Sequence, residues 1–169
     1  MVSTSDRTDA RTNGRGLLAM AGFIALAFAA GAVGALLQGD GVSVRYLLLE
    51  RPAWAPDASV FGIVWPVLYL LIGIAGWLLW RSGADRVQRA AAVAGWGAQL
   101  VLNALWPWVF FGLEAFGPAI AIIVALDLVV AATVAMAWRV SRTAAGLLLP
   151  YFVWILYATA LNIAIFALN

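Results

Sequence analysis

Five stretches of this chain are each long enough to cross a lipid bilayer, and they carry almost no charge. They are 16–38, 60–80, 90–113, 116–138 and 144–168. A helix of about 20 apolar residues crosses the hydrocarbon core. Only helices and closed barrels satisfy every backbone group there. Barrel strands alternate in polarity over about ten residues, and these stretches do not. The expected fold is therefore all-α: an integral membrane bundle of five transmembrane helices. Residues 1–15 are polar and read as a disordered tail, and 16–169 form the membrane domain. The composition agrees. The chain is 65% apolar and 11% charged, whereas a soluble domain is about 45–50% apolar and about 25% charged. The first stretch is also too long for the apolar region of a secretory signal, which is about 7–15 residues.

Absent residue types narrow the chemistry. There is no Cys and no His, so disulfides, thiolate nucleophiles and the commonest metal ligand and general base are excluded. Lys is missing as well, which excludes Schiff-base catalysis. No metal site and no obligatory cofactor are expected. The net charge is +2, with the arginines scattered singly, so nothing points to nucleic acid.

The arginines orient the bundle. Arg7, Arg11, Arg15, Arg81, Arg86, Arg89, Arg139 and Arg142 fall on the side of the N-terminus, and only Arg45 and Arg51 fall on the other. The positive-inside rule puts the N-terminus in the cytoplasm and the C-terminus outside. The short links make consecutive helices antiparallel neighbours. The one long link, 39–59, lies outside. Within it 44–50 suits a turn or two of helix. Arg51-Pro52-Ala53-Trp54-Ala55-Pro56 is a rigid run, because each proline fixes φ and restricts the residue before it. Trp54 fits either the interfacial aromatic belt or a lid.

Polar residues inside the spans carry the functional signal, because unpaired amides in hydrocarbon are costly. Gln99 and Asn103 share a face of the third span, and Trp106 and Phe110 continue it. Trp65 and Tyr69 share a face of the second span. Tyr151, Trp154, Ala158 and Asn162 share one of the fifth. At about 1.5 Å per residue, Trp65, Asn103, Trp106 and Asn162 lie roughly 9–15 Å below the outer surface, with Tyr69, Ala158 and Trp154 somewhat deeper. This level holds either interhelical hydrogen bonds and aromatic packing, or a cavity for a flat, apolar, hydrogen-bonding ligand. Trp77, Trp80 and Trp138 end their spans where indoles prefer the headgroup boundary. Asp127 is the acidic residue well inside a span; it takes up a proton or faces a neighbouring helix or subunit. Ala27, Gly31 and Ala35 form a stripe of small residues that suits close helix packing, within the bundle or between copies.

In order along the chain, Arg51-Pro52-Ala53-Trp54-Ala55-Pro56, Val64-Trp65-Pro66-Val67-Leu68-Tyr69, the run from Gln99 to Pro107 with Phe110-Phe111-Gly112, Pro150-Tyr151-Phe152-Val153-Trp154, and Ala158-Thr159-Ala160-Leu161-Asn162 resemble the motifs of the TspO/MBR family, which comprises tryptophan-rich sensory proteins and mitochondrial translocator proteins. The resemblance covers Gly16 to the C-terminus. It implies a five-helix bundle, usually a homodimer, in what is expected to be a bacterial cell membrane. It also implies a pocket under the first link that binds porphyrins or haem, with protoporphyrin IX or haem as ligand and a role in tetrapyrrole sensing, regulation or transport. Carried over residue by residue, the pocket falls on Trp54, Trp65, Tyr69, Asn103, Trp106, Trp154, Ala158, Leu161 and Asn162. The alternatives are a light-dependent porphyrin-degrading enzyme using Trp65 and Trp154, and a transporter of tetrapyrroles or other lipophilic ligands.

The chain departs from the pattern at Asp57, where the family has a second proline, and at Pro118, where mitochondrial members carry Trp. Ile163 and the residues after it lack the Tyr and basic residue of the sterol-recognition pattern, so the resemblance does not extend to sterol binding there. Recognition is expected to read the ring and its propionates rather than iron, since an axial ligand is normally His, Cys or Met. Met1, Met20 and Met136 lie at or beyond the cytoplasmic end. Arg45 and Arg51 of the link are candidates for the carboxylates.

Overall fold

The computed structural model describes residues 4–39 and 42–169. The chain forms α1 (Thr4–Leu37), α2 (Val42–Leu48), α3 (Ala58–Arg81), α4 (Arg86–Pro107), a π-helical turn (Trp108–Gly112), α5 (Phe116–Val140) and α6 (Arg142–Leu168). No strand forms among the described residues. Among the described residues, four segments are long and apolar enough to cross a membrane: Gly14–Leu37, Ala58–Arg81, Phe116–Val140 and Arg142–Leu168.

Two segments take a form that the sequence expectation did not include. The polar segment read as a disordered tail is helical from Thr4 onward; Met1 to Ser3 lie outside the described residues. Helix propagation adds a hydrogen bond per residue at little cost once a nucleus exists, and no proline interrupts α1. The span expected at 90–113 is divided. Pro107 has no N–H to continue the α-helical ladder, and the chain turns on through a π-helical turn closed by Leu113 N–H donating to Trp108 O at 2.9 Å. Glu114 then takes φ 52°. α4 is not among the four apolar segments, because it carries Arg86, Gln88, Arg89, Gln99 and Asn103.

Local sequence sets the ends of the helices. Asp85 caps α4, its carboxylate accepting from Val87 N–H and Gln88 N–H. Ser141 caps α6 by accepting from Ala144 N–H. Such caps contribute about 1 kcal/mol each by satisfying otherwise orphaned amides. Gly39, at φ 77°, ends α1.

The five long helices form a closed ring in the order α1, α3, α6, α5, α4 and back to α1. Consecutive helices are therefore not all close neighbours. α3 and α4 touch only lightly, because both flank α1. Gly73 makes the α1–α3 approach possible, since a Cβ there would lie 2.5 Å from the Ile24 Cα.

The core has two parts. One, toward the arginine-rich end, centres on Leu68, Ile72, Leu79, Trp96, Leu126 and Tyr151. The other, beside α2, joins Tyr46, Val109, Phe110, Ala119, Leu161 and Ile165. Outward residues such as Leu18, Ile63, Val101, Leu128 and Val153 are exposed and apolar, the pattern of a surface facing lipid rather than water.

Candidate functional site

The ring leaves a cavity of about 580 Å³ where α1, α3 and α4 diverge beneath α2. Sites for small molecules and cofactors run from about 300 to 1,000 Å³ and are mostly apolar with a few placed polar groups. This cavity fits that description. Its rings come from Phe28, Tyr46, Phe61, Trp65, Tyr69, Trp106 and Phe111, and its amides from Gln38 and Asn103.

Helical spacing positions the α3 side. Phe61, Trp65 and Tyr69 stand one turn apart, so they line one face. Trp65 and Tyr69 stack at 5.3 Å with 25° between planes. The Tyr69 hydroxyl donates to Asn103 Oδ1 at 2.8 Å, and Asn103 Nδ2 donates to the Tyr151 hydroxyl at 3.2 Å. The chain Tyr69–Asn103–Tyr151 thus ties α3, α4 and α6 together at the deep end of the cavity. Trp106 Nε1 donates to Asn162 Oδ1 at 3.0 Å, and Asn162 Nδ2 donates to Phe116 O at 3.1 Å. These bonds fix the amide orientations and the plane of the Trp106 indole. Pro66 and Pro107 also line the cavity, and each denies a helical donor to the carbonyl four residues earlier, at Gly62 and Asn103.

α1 supplies the remaining wall through Phe28, Gly31, Ala32 and Ala35. Gly31 is required by close approach: a Cβ there would lie 2.9 Å from the Tyr69 hydroxyl oxygen and closer still to its ring. The small-residue stripe therefore works inside the bundle in this structure, with Ala27 fully buried and Gly31 and Ala35 against the cavity.

α2 lies across the top. Arg45 Nη1 donates to Phe111 O at 2.8 Å and to Gln38 O at 3.4 Å, pinning α2 to the ends of the π-helical turn and of α1. The Tyr46 hydroxyl donates to Pro56 O at 2.9 Å, and the Arg51 guanidinium lies 4.7 Å from the Tyr46 ring centre. Burial pushes the Tyr46 phenol above the usual tyrosine range, with Arg51 pulling in the opposite direction. Both link arginines thus already have protein partners. Asn169 braces the link from the other side: its Oδ1 accepts from Glu50 N–H and its Nδ2 donates to Glu50 O.

Of the residues singled out in the sequence, Trp65, Tyr69, Asn103 and Trp106 line the cavity together. Trp54, Trp154, Ala158, Leu161 and Asn162 do not. Trp54 is half exposed, edge-on to Tyr157, whose hydroxyl donates to Trp54 O at 2.9 Å. Trp154 stands behind Phe61, with ring centres 5.9 Å apart. Ala158 and Leu161 are buried in the core. Asn162 reaches the site only through Trp106. Phe61, Phe111 and the α1 wall also line the cavity, and helical spacing and depth do not single them out. Phe61 was findable, one turn before Trp65 on the same face. Gly31, Ala32 and Ala35 gave no polar or aromatic signal.

The fold and the site define a class: a helical membrane protein with an aromatic-lined cavity beneath a short helix. The model of the TspO/MBR family matches residues 23–168, and the chain belongs to that family. Relatives support this along most of the length. The tryptophan-rich protein TspO of Archaeoglobus fulgidus is 37% identical over 153 residues, covering 90% of this chain and 98% of its own. The tryptophan-rich sensory protein of Cereibacter sphaeroides is 35% identical over 147 residues, covering 87% of this chain and 89% of its own. The human translocator protein is 34% identical over 134 residues, covering 79% of each chain.

Proposed function

We propose that this protein binds a tetrapyrrole, protoporphyrin IX or haem, in the cavity beneath α2, and that it serves in tetrapyrrole sensing, regulation or transport. The observation that carries the reading is the wall of stacked Trp65 and Tyr69 facing the small α1 residues across a cavity closed at depth by Asn103. Indole and phenol faces pack against a flat macrocycle. The small residues of α1 leave the opposite side open to it. With Arg45 and Arg51 engaged by the protein, the propionates are left to the amides of Gln38 and Asn103, or to an arginine released when α2 moves.

The same reading makes the segment from α4 through the π-helical turn the fifth membrane crossing. The two amides in its middle, Gln99 and Asn103, are buried inside the bundle, and its outward residues at that depth, such as Val101, are apolar. The N-terminus is then cytoplasmic, the cavity lies in the outer leaflet, and the protein works in the cell membrane as a homodimer.

The test is a titration of the purified protein with protoporphyrin IX, followed by tryptophan quenching. Saturable binding that weakens about tenfold or more in Trp65→Ala, equivalent to about 1.4 kcal/mol, supports the site. Unchanged affinity in that variant removes it.

A further inference from the structure

The α5–α6 seam holds a polar pair that the cavity does not use. Asp127 lies near the middle of α5 and Thr159 on the facing side of α6, with Thr159 Oγ1 2.7 Å from Asp127 Oδ2. The same Oγ1 lies 2.9 Å from Ile155 O, the carbonyl four residues earlier in its own helix. A threonine hydroxyl has a single proton to donate. Both contacts are full two-centre hydrogen bonds, rather than one shared proton, only if the second proton comes from the carboxyl. Threonine in a helix commonly gives its proton to the carbonyl four residues back. Thr133 of this protein does so, donating to Val129 O at 2.7 Å.

A second observation points the same way. Asp127 Oδ1 is shielded and has no hydrogen-bond partner. An ionised carboxylate would leave that oxygen charged and unsolvated, which is far more costly than leaving a neutral carbonyl oxygen so. Among the described residues, the arginines of α5 and α6 lie too far away to compensate. Arg139 is twelve residues along α5, about 18 Å at 1.5 Å per residue, and Arg142 is farther from Thr159 along α6. The facing titratable group on α6 is Tyr151, whose hydroxyl accepts from Asn103. α4 contributes only the neutral Gln99 and Asn103 at this level. Around the pair, Val124, Leu128, Leu156 and Ile163 are exposed and apolar, so the seam is reached from the hydrocarbon side.

We infer that Asp127 is held as a neutral carboxylic acid whose Oδ2–H donates to Thr159 Oγ1, making the α5–α6 seam a single-proton site within the membrane and a modification site for hydrophobic carbodiimides. In that reaction the acid proton passes to one carbodiimide nitrogen while the carboxylate oxygen bonds to the central carbon. The acyl group then migrates to nitrogen, leaving a stable N-acylurea. All atoms of both reactants are retained, so the chain gains the mass of one reagent.

The experiment uses the full chain in phospholipid vesicles. Infrared spectra at neutral pH should show a protonated-carboxyl C=O stretch that disappears in Asp127→Asn. In Thr159→Val the band should persist and move to higher frequency, as expected on losing a hydrogen bond. Dicyclohexylcarbodiimide should add once per chain, at the peptide containing Asp127, while a water-soluble carbodiimide labels only carboxyls outside the spans. Absence of the protonated-carboxyl band in the wild type, or dicyclohexylcarbodiimide labelling that spares Asp127, overturns the inference. The wild-type spectrum and Thr159→Val decide the matter even if Asp127→Asn does not fold.

Discussion

Replacing Gly31 with alanine tests how the cavity wall is built. The added Cβ would sit 2.9 Å from the Tyr69 hydroxyl oxygen and closer to its ring. That ring has little freedom to withdraw, because it is stacked on Trp65 and its hydroxyl is bonded to Asn103 at 2.8 Å. Moving it breaks a hydrogen bond worth about 0.5–1.5 kcal/mol. Overpacking of this kind costs about 1–3 kcal/mol. Alanine returns about 1 kcal/mol of helix propensity relative to glycine. The net expectation is a loss of about 1–3 kcal/mol, with Tyr69 displaced toward the cavity. Gly62→Ala is the control: Gly62 also lines the cavity, yet a Cβ there meets nothing within 4 Å. It should be neutral or stabilising by up to about 1 kcal/mol. Unfolding of both variants in the same mixed micelles, read by tryptophan fluorescence, gives the comparison. In a Tyr69→Ala background, Gly31→Ala should lose most of its cost, a coupling of about 1 kcal/mol or more. If Gly31→Ala proves as harmless as Gly62→Ala, the account of this wall is wrong.

Arg45→Gln should loosen α2 by removing a charged donor from Phe111 O and Gln38 O, speeding ligand release measured by stopped-flow fluorescence more than it lowers thermal stability. Trp154→Phe should change protoporphyrin affinity less than about threefold, under about 0.7 kcal/mol, because Trp154 stands behind Phe61; a loss matching that of Trp65→Ala would place Trp154 in the site. Haemin and metal-free protoporphyrin IX should bind within about tenfold of each other, about 1.4 kcal/mol. A hundredfold preference for haemin with a six-coordinate low-spin spectrum would contradict recognition through the ring. A reporter active only outside the cytoplasm and fused after Asn169 should be active; cytoplasmic labelling there would invert the bundle.

What the sequence displayed and what it hid follow from one geometric fact. Period and depth locate a residue along a helix and on its face, but they do not give the helix its place around the ring. Trp65, Tyr69, Asn103 and Trp106 were legible because α3 and α4 both border the cavity. Ala158, Leu161 and Asn162 lie on α6, across α3 from α1, and their face meets the core and the Trp106 indole instead. The α1 wall was hidden for another reason. Gly31, Ala32 and Ala35 contribute by having almost no side chain, and that signal also fits ordinary close packing. The π-helical turn was foreshadowed by Pro107, but a proline specifies a break in the ladder without specifying how the chain continues. The helical start at Thr4 reflects propagation from the apolar part of α1, which polar composition alone does not reveal.

The central claim is that the cavity between α1, α3 and α4 is where the ligand sits. The most direct measurement is a protoporphyrin IX titration of Ala35→Trp, which projects an indole into the cavity from the α1 wall without touching Trp65, Tyr69 or Asn103 chemically. Its stability and helix content are checked in the same micelles. The account predicts a folded variant whose binding is weakened at least about a hundredfold, or about 2.7 kcal/mol, with tryptophan quenching lost in parallel. A folded Ala35→Trp that binds protoporphyrin IX as tightly as the wild type would place the ligand elsewhere and contradict the account.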